Sequence, residues 1–289
     1  MQAPSPIETP CPCCDSLAWA DRWEGFLLCR TCGLMTVDRR HGAEQLRELY
    51  GERYFRGEEY TDYLADKDDY QRTLADHLRS VGRYVPAGRR ILEIGCAYGF
   101  FLELIRRRYP GSLGVDISAD AVRFARARGL DAVAGDLLRM DLPGAFDAVC
   151  LWDTVEHLAQ PVAMIAKAAE HLRPGGHLFL TTGDFGALLP RLQGLRWRQI
   201  HPPTHLFYFT RPSLSAMCRK LGFDVVSFAT VTVNLRLRSA LLNLHRIRPQ
   251  TLAGRLAKRA CRALPRFLLE ACFPFNLGDT VLLVARRRG

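Results

Sequence analysis

Of the ten cysteines in this 289-residue chain, Cys11, Cys13, Cys14, Cys29 and Cys32 fall within its first 32 positions. Cys11-Pro-Cys13-Cys14 and Cys29-Arg-Thr-Cys32-Gly33 form a pair of C-x2-C turns with 14 residues between them. Such a turn aims two thiolates at one centre, and two turns supply the tetrahedral sulfur set that Zn2+ prefers. Cys11, Cys14, Cys29 and Cys32 are the expected ligands, with Cys13 a bystander inside the first turn. Four thiolates leave no open coordination position, so the metal is expected to be structural. A module this small has too little apolar area to fold alone, and the metal would supply much of its stability. Cys96, Cys150, Cys218, Cys261 and Cys272 lie singly in apolar stretches, where a free thiol behaves as a small hydrophobe.

A second constellation begins at Ile91-Leu-Glu93-Ile-Gly95-Cys96-Ala97-Tyr98-Gly99-Phe-Phe101, read as a buried strand, a glycine turn and an amphipathic helix. The glycines let the backbone pass close to a ligand, and the helix N-terminus offers it amides. Asp116 ends the next strand 21 residues after Gly95, a spacing at which a carboxylate can accept hydrogen bonds from both hydroxyls of a ribose. Asp136 follows the third strand, placed for an adenine amino group. Each piece alone is weak, and Asp116 and Asp136 can also be read as helix caps; the combined spacing is far more specific.

These residues need a frame. From Arg89 onward short β-like runs (Ile91–Ile94, Leu113–Val115, Ala132–Ala134, Ala148–Leu151, Leu178–Thr181) alternate with helical patterns, which signals a parallel sheet with crossover helices. Phe223–Val233 and Val281–Val284 follow, separated by a basic helical segment. The expected division is a cysteine module over 1–38, a helical, tyrosine-rich lid or linker over 39–88, a nucleoside-binding core over 89–234, a basic helical insertion over 235–275, and a last strand with basic tail over 276–289.

The chain here resembles the class I S-adenosylmethionine-dependent methyltransferases. Glu93-x-Gly95-x-x-x-Gly99 is similar to their first motif and differs from the G-x-G-x-x-G of nicotinamide enzymes. The likeness runs on through Phe146-Asp147-Ala-Val-Cys-Leu-Trp152-Asp153-Thr-Val-Glu156-His157-Leu and Leu172-Arg-Pro-Gly-Gly176. The resemblance implies an α/β fold: a seven-stranded, doubly wound, Rossmann-like sheet with an antiparallel last strand near 280–285. It further implies S-adenosylmethionine as cofactor, with Glu93 and Gly95, Cys96, Ala97, Tyr98 and Gly99 around its methionine part. Asp116 with Ile117 would take the ribose, and Asp136 with Leu137 would flank the adenine. Trp152 and Asp153 are expected to line the same pocket. Together with the zinc ribbon, the tyrosine-rich segment and Trp197…His201-Pro-Pro-Thr-His205-Leu-Phe-Tyr-Phe, the chain resembles bacterial zinc-ribbon methyltransferases of sugar, polysaccharide and secondary-metabolite pathways.

Methyl transfer from a sulfonium is an in-line displacement that rests on alignment, exclusion of water and, for a hydroxyl acceptor, removal of a proton. His157 follows strand four, at the edge where acceptors meet the methyl group in this fold. His205 sits in the aromatic loop after strand five. Either histidine, titrating near neutrality, is a candidate base, and either can equally be a structural anchor. Tyr54, Tyr60 and Tyr63 can form a lid or simply pack a helix.

The net charge of +10 is concentrated late: residues 1–234 carry 28 basic and 28 acidic side chains, whereas 235–275 carry nine arginines or lysines against Glu270 alone. That segment can lie on an anionic membrane, hold an acidic substrate, or be a solvated insertion. The neutral remainder disfavours a nucleic-acid partner. A small-molecule or glycan-type acceptor, methylated at oxygen, is the expected substrate. The alternatives are an RNA methyltransferase and a non-catalytic zinc-ribbon interaction module. With neither a signal peptide nor an apolar run of spanning length, a cytoplasmic location is expected, with peripheral membrane contact through 235–275.

Overall fold

The computed structural model describes residues 9–37, 67–202, 204–247 and 250–289. The lid tyrosines Tyr54, Tyr60 and Tyr63 lie outside the described residues. The N-terminal cysteine module contains strands β1 (Trp19–Trp23), β2 (Phe26–Cys29) and β3 (Met35–Val37), and helix α1 (Lys67–Val81) follows later in the chain.

The core then alternates as expected: β4 (Ile91–Ile94), α2 (Phe100–Ile105), β5 (Leu113–Asp116), α3 (Ala119–Ala127), β6 (Ala132–Ala134), β7 (Phe146–Leu151), α4 (Pro161–His171) and β8 (Leu172–Gly183). After α5 (Leu188–Gln193) and β9 (Phe207–Tyr208) come α6 (Arg211–Lys220) and β10 (Phe223–Thr230). An excursion through β11 (Val233–Arg236), α7 (Leu237–Ile247), α8 (Leu252–Ala263), α9 (Arg266–Leu269) and β12 (Cys272–Phe275) precedes β13 (Thr280–Arg287).

Seven strands make one sheet in the order β10-β13-β8-β7-β4-β5-β6. Neighbours from β6 to β8 pair in parallel, and β13 runs antiparallel to both β8 and β10. Strand residues alternate between two apolar layers, because successive side chains of a strand point to opposite faces. Leu92, Ile94, Val149 and Leu178 join Met164 and Ile165 of α4 on one face. Ile91, Ala148, Cys150 and Phe179 join Phe101 and Ile105 of α2 on the other. A sheet buried on both faces needs near-continuous apolar strands, which explains why every residue of β4, Glu93 included, is buried.

From β4 the chain moves outward through β5 to β6 and returns on the other side of β4 as β7. That reversal is the topological switch point, at the carboxyl ends of the strands, beside which doubly wound sheets bind ligands. Cys96, Cys150 and Cys218 are buried, as small hydrophobes should be, whereas Cys261 and Cys272 are half-buried.

The cysteine module is built into the core. Its sheet runs β1-β2-β3-β9, so a strand from the aromatic loop completes it, with Met35 opposite Tyr208 and Thr36 opposite Phe207. The excursion from 233 to 275 leaves and returns at one place, because β11 and β12 pair with Val233 opposite Phe275 and Arg236 opposite Cys272. Arg236 anchors it, donating to Asp69 of α1 at 2.8 Å and to Glu270 at 2.9 Å.

Candidate cofactor and acceptor site

The turn after β4 is left-handed at three points, Gly95 (φ 77°), Ala97 (φ 45°) and Gly99 (φ 75°). A Cβ on Gly95 would lie 2.5 Å from Thr154 Oγ1, so the loops after β4 and β7 touch there and only glycine fits. Asp116 fixes this turn from the next strand: Oδ2 accepts from the Ala97 amide at 2.7 Å and Oδ1 from the Ser118 amide at 2.8 Å. Burial pushes its carboxyl pKa up, against the pull of those amides. Glu93 is raised well above the usual carboxyl value, first by burial and then by the charge of Asp116, and its Oε2 has no hydrogen-bond partner. Two crowded, poorly solvated carboxyls suit a cationic ligand, since a nearby positive charge restores their ionised forms.

Side-chain directions within this stretch differ. Gly95 and Ala97 are half-buried, facing accessible space, while Cys96 packs towards Gly114 and Tyr98 stacks with Phe100. Ile117 is 39% exposed beside Asp116. Asp136 accepts from the Leu138 amide at 3.1 Å, whereas the Leu137 side chain is in the core and leaves only its backbone at that edge.

After β7 the chain turns sharply. Trp152 stacks on His77 of α1, with centroids 4.6 Å apart, and meets Phe101 edge-on at 5.1 Å. Its indole Nε1–H is buried without an acceptor. Asp153 adopts φ 45°, a strained conformation for a residue with a side chain, and its amide donates to Thr181 Oγ1 at 2.8 Å. The residue is exposed, and desolvation by the groups packed around it raises its carboxyl pKa against the opposing pull of Thr181 and Arg198.

A short 3-10 turn, Val155–His157, carries Glu156 and His157 to the loop that bears His205. Leu206 N donates to Glu156 O at 2.8 Å, and His157 Nδ1 bonds the Thr204 carbonyl at 2.9 Å. The rings of His157 and His205 meet edge-on with centroids 4.5 Å apart, and His201 lies 5.5 Å from His205. Burial lowers the His157 pKa to about 4 and takes His205 well below its ordinary value. Neither histidine therefore titrates near neutrality, where the sequence places it; enclosure favours the uncharged ring. Glu156 is 3% exposed and is pushed up to about 8 by burial, with Asp153 adding to the rise. The sequence carries no sign of its convergence with the histidines, because a Glu-His pair after a strand reads equally as a cap.

The four expected cysteine ligands converge. Cys11 and Cys32 sulfurs are 3.6 Å apart, as are those of Cys14 and Cys29, and all four lie within 4.8 Å of one another. Sulfurs around tetrahedral zinc stand about 3.8 Å apart, given Zn–S bonds of about 2.3 Å. The turns share one backbone design: Cys11 N bonds Ser16 O and Cys29 N bonds Leu34 O, with left-handed Asp15 (φ 60°) and Gly33 (φ 75°) closing them. Cys13 is fully buried beside this set. Thr210 Oγ1 donates to Cys32 O at 2.9 Å and Lys220 Nζ to Pro12 O at 3.1 Å, tying the module to α6. A cavity of about 550 Å³ between module and α6, bridged by Arg211 and Asp184 at 3.0 Å, lies away from the glycine turn.

Comparison with known proteins agrees with this frame. The methyltransferase-domain family profile matches residues 67–228, more than half of the chain. The ubiquinone biosynthesis O-methyltransferase of Cupriavidus pinatubonensis is 27% identical over 162 residues, spanning 51% of this chain and 65% of that protein's length. The enzyme of the same name from Methylococcus capsulatus is 30% identical over 162 residues, 51% of this chain and 68% of its own. Among solved structures, the magnesium protoporphyrin IX methyltransferase of Synechocystis, with S-adenosylhomocysteine bound, superposes with a TM-score of 0.54 at 14% identity, covering 85% of this chain and all of that one. The chain belongs to the methyltransferase-domain family and is built on the class I S-adenosylmethionine-dependent fold.

Proposed function

We propose that the protein transfers the methyl group of S-adenosylmethionine to an oxygen of a small-molecule acceptor. The observation that carries this is the pair of buried carboxyls, Glu93 and Asp116, facing a left-handed glycine turn without a cationic partner for the Glu93 oxygen. A sulfonium and an α-ammonium group offer the positive charge that such a site lacks. Glu93 and the 95–99 turn would hold the methionine part, Asp116 and Ile117 the ribose, and Asp136 with the Leu137 backbone the adenine. Trp152 and Asp153 would wall the cleft, with the acceptor entering on the side of Glu156, His157 and His205. Relatives named as O-methyltransferases support oxygen as the accepting atom.

Calorimetry with S-adenosylhomocysteine tests the first half, and methyl-labelled cofactor with phenols and alcohols, read by mass spectrometry, tests the second. Binding of nicotinamide dinucleotide without response to S-adenosylhomocysteine would refute the assignment.

The four-cysteine set is proposed to hold one structural zinc, which fits its sulfur spacing. The basic excursion is proposed to lie on anionic membrane. Arg255, Lys258, Arg259, Arg262 and Arg266 are all exposed on α8 and α9, and Leu252, Leu256 and Phe267 are exposed among them. No helix among the described residues is long and apolar enough to cross a membrane. Cosedimentation with anionic but not zwitterionic vesicles is the expected outcome; equal binding to both, or to neither, contradicts it.

A further inference from the structure

We propose that the cavity between the cysteine module and α6 is a binding site for a small organic anion, gripped through its carboxylate or phosphate head by Arg191 and Arg211. None of its lining residues belongs to the glycine turn, so the site stands apart from the methyl-transfer reading.

At about 550 Å³ the cavity is within the range of small-molecule sites, about 300–1,000 Å³, and it lies where such sites concentrate, between two structural units. Asp184, the first residue after β8, is 4% exposed and has both oxygens engaged. Oδ2 accepts from Arg211 Nε at 3.0 Å and Oδ1 from the Gly186 amide at 3.0 Å. The Arg211 guanidinium also lies over the Phe228 ring, 5.9 Å from its centroid. Held at Nε and across its face, the group is fixed, while its two terminal nitrogens keep their N–H donors. Its side chain is 43% exposed, so those donors are open to a solute. Arg191 of α5 lines the same cavity, is exposed, and has no carboxylate partner among the described residues. Two guanidiniums against one carboxylate leave these charged groups net positive, and planar N–H forks match the oxygens of a carboxylate or phosphate.

The second C-x2-C turn supplies the rest of the lining, through Thr31, Cys32 and Gly33. Thr210 Oγ1 donates to Cys32 O at 2.9 Å, and a Cβ on Gly33 would come 3.3 Å from Thr210 Oγ1, so this wall is locked against α6. Metal-bound thiolates bring opposing charge, but Cys32 is 5% exposed and turns its sulfur towards Cys11 at 3.6 Å. Leu188 lines the cavity yet is 72% exposed, and it offers an apolar surface to a carbon skeleton. An anion with an aromatic or aliphatic body therefore fits better than a bare inorganic ion. The cysteine module then has a use besides its own fold: it builds one wall of a site that the core alone lacks.

Calorimetry of the full, zinc-loaded chain with phenyl phosphate, benzoate and inorganic phosphate is the test. One phenyl phosphate or benzoate per chain is expected, bound more tightly than inorganic phosphate, and the tighter of the two identifies the head group. Arg191→Gln should weaken it about tenfold or more, as for a lost charge-assisted hydrogen bond. Arg107→Gln, at an exposed arginine after α2 and outside the cavity, should leave it unchanged. Arg211→Gln should weaken it likewise; because that change also leaves buried Asp184 unpaired, Arg191→Gln carries the decision. Cys29→Ser, which loses the zinc, should lose the anion and keep S-adenosylhomocysteine, whose binding reports a folded core. No saturable binding at millimolar concentration overturns the proposal, as does equal affinity for inorganic phosphate. Binding that survives Arg191→Gln, or that falls as much in Arg107→Gln, overturns it too, the latter being adsorption to the net charge of +10. Anion-free wild-type protein whose zinc content drops in Arg191→Gln would assign the arginines to the thiolate charge instead. Failure of wild-type protein to bind S-adenosylhomocysteine counts against the methyl-transfer reading and leaves the anion titrations legible.

Discussion

Replacing Asp116 by alanine removes the acceptor of two backbone amides as well as a contact proposed for the ribose. S-adenosylhomocysteine affinity should fall by roughly 1.5–3 kcal/mol, as for a lost charged hydrogen bond, and calorimetry on Asp116→Ala and Asp116→Asn reads it. The asparagine keeps an acceptor for the turn, so it should lose less; equal affinity in all three proteins removes Asp116 from the site. Gly95→Ala probes the turn itself. Its Cβ would come within 2.5 Å of Thr154 Oγ1 in a left-handed backbone, and strain of that kind costs about 1–3 kcal/mol before any clash is counted. Lower thermal stability and weaker cofactor binding are expected, with partial rescue by Thr154→Ala, which relieves the contact but not the φ. The glycines and Asp116 were legible because their spacing encodes a covalent distance along one βαβ unit. Glu156 was not, since its meaning comes from residue 205, and no periodicity links the two.

At the scale of elements, α1 is held to the β7 turn by an uncharged histidine. His77 is buried and its pKa falls from 6.5 to about 4 by desolvation. The unfolded chain therefore binds a proton that the folded chain refuses between these values. The stability due to neutral His77 is fully present above about pH 6.5 and is lost as pH falls towards 4, roughly 3 kcal/mol in all. Denaturant titrations of wild type and His77→Phe from pH 7 to 4.5 should show the variant with the shallower fall; parallel curves would mean that His77 does not carry this dependence. The strands β4, β5, β7, β8 and β13 could be read from apolar runs because they lie inside the sheet and are largely buried on both faces, whereas β6, at the edge with Ala134 exposed, was legible only as a short apolar run between helical stretches. The two-residue β9 could not, as Phe207-Tyr208 sits in an aromatic stretch whose pairing partner is β3, far away in the chain.

For the whole molecule, the cysteine module and the histidine loop are one construction. Purified protein should carry one zinc at the cysteines; Cys29→Ser should lose it, and Cys13→Ser should keep it at some cost in stability, since Cys13 is buried but not among the four. Metal analysis with thermal melts decides both. Because β9 closes the module's sheet, loss of zinc should loosen His205 and reduce methyl transfer more than it reduces S-adenosylhomocysteine affinity, which depends on the far side of the crevice. The same strand pairing dictates an order of events during synthesis. Met35 leaves the ribosome long before Tyr208 exists, so the edge of β3 waits, unpaired, while the core is made. Zinc capture early in that interval would hold the half-built ribbon in shape until its missing strand arrives.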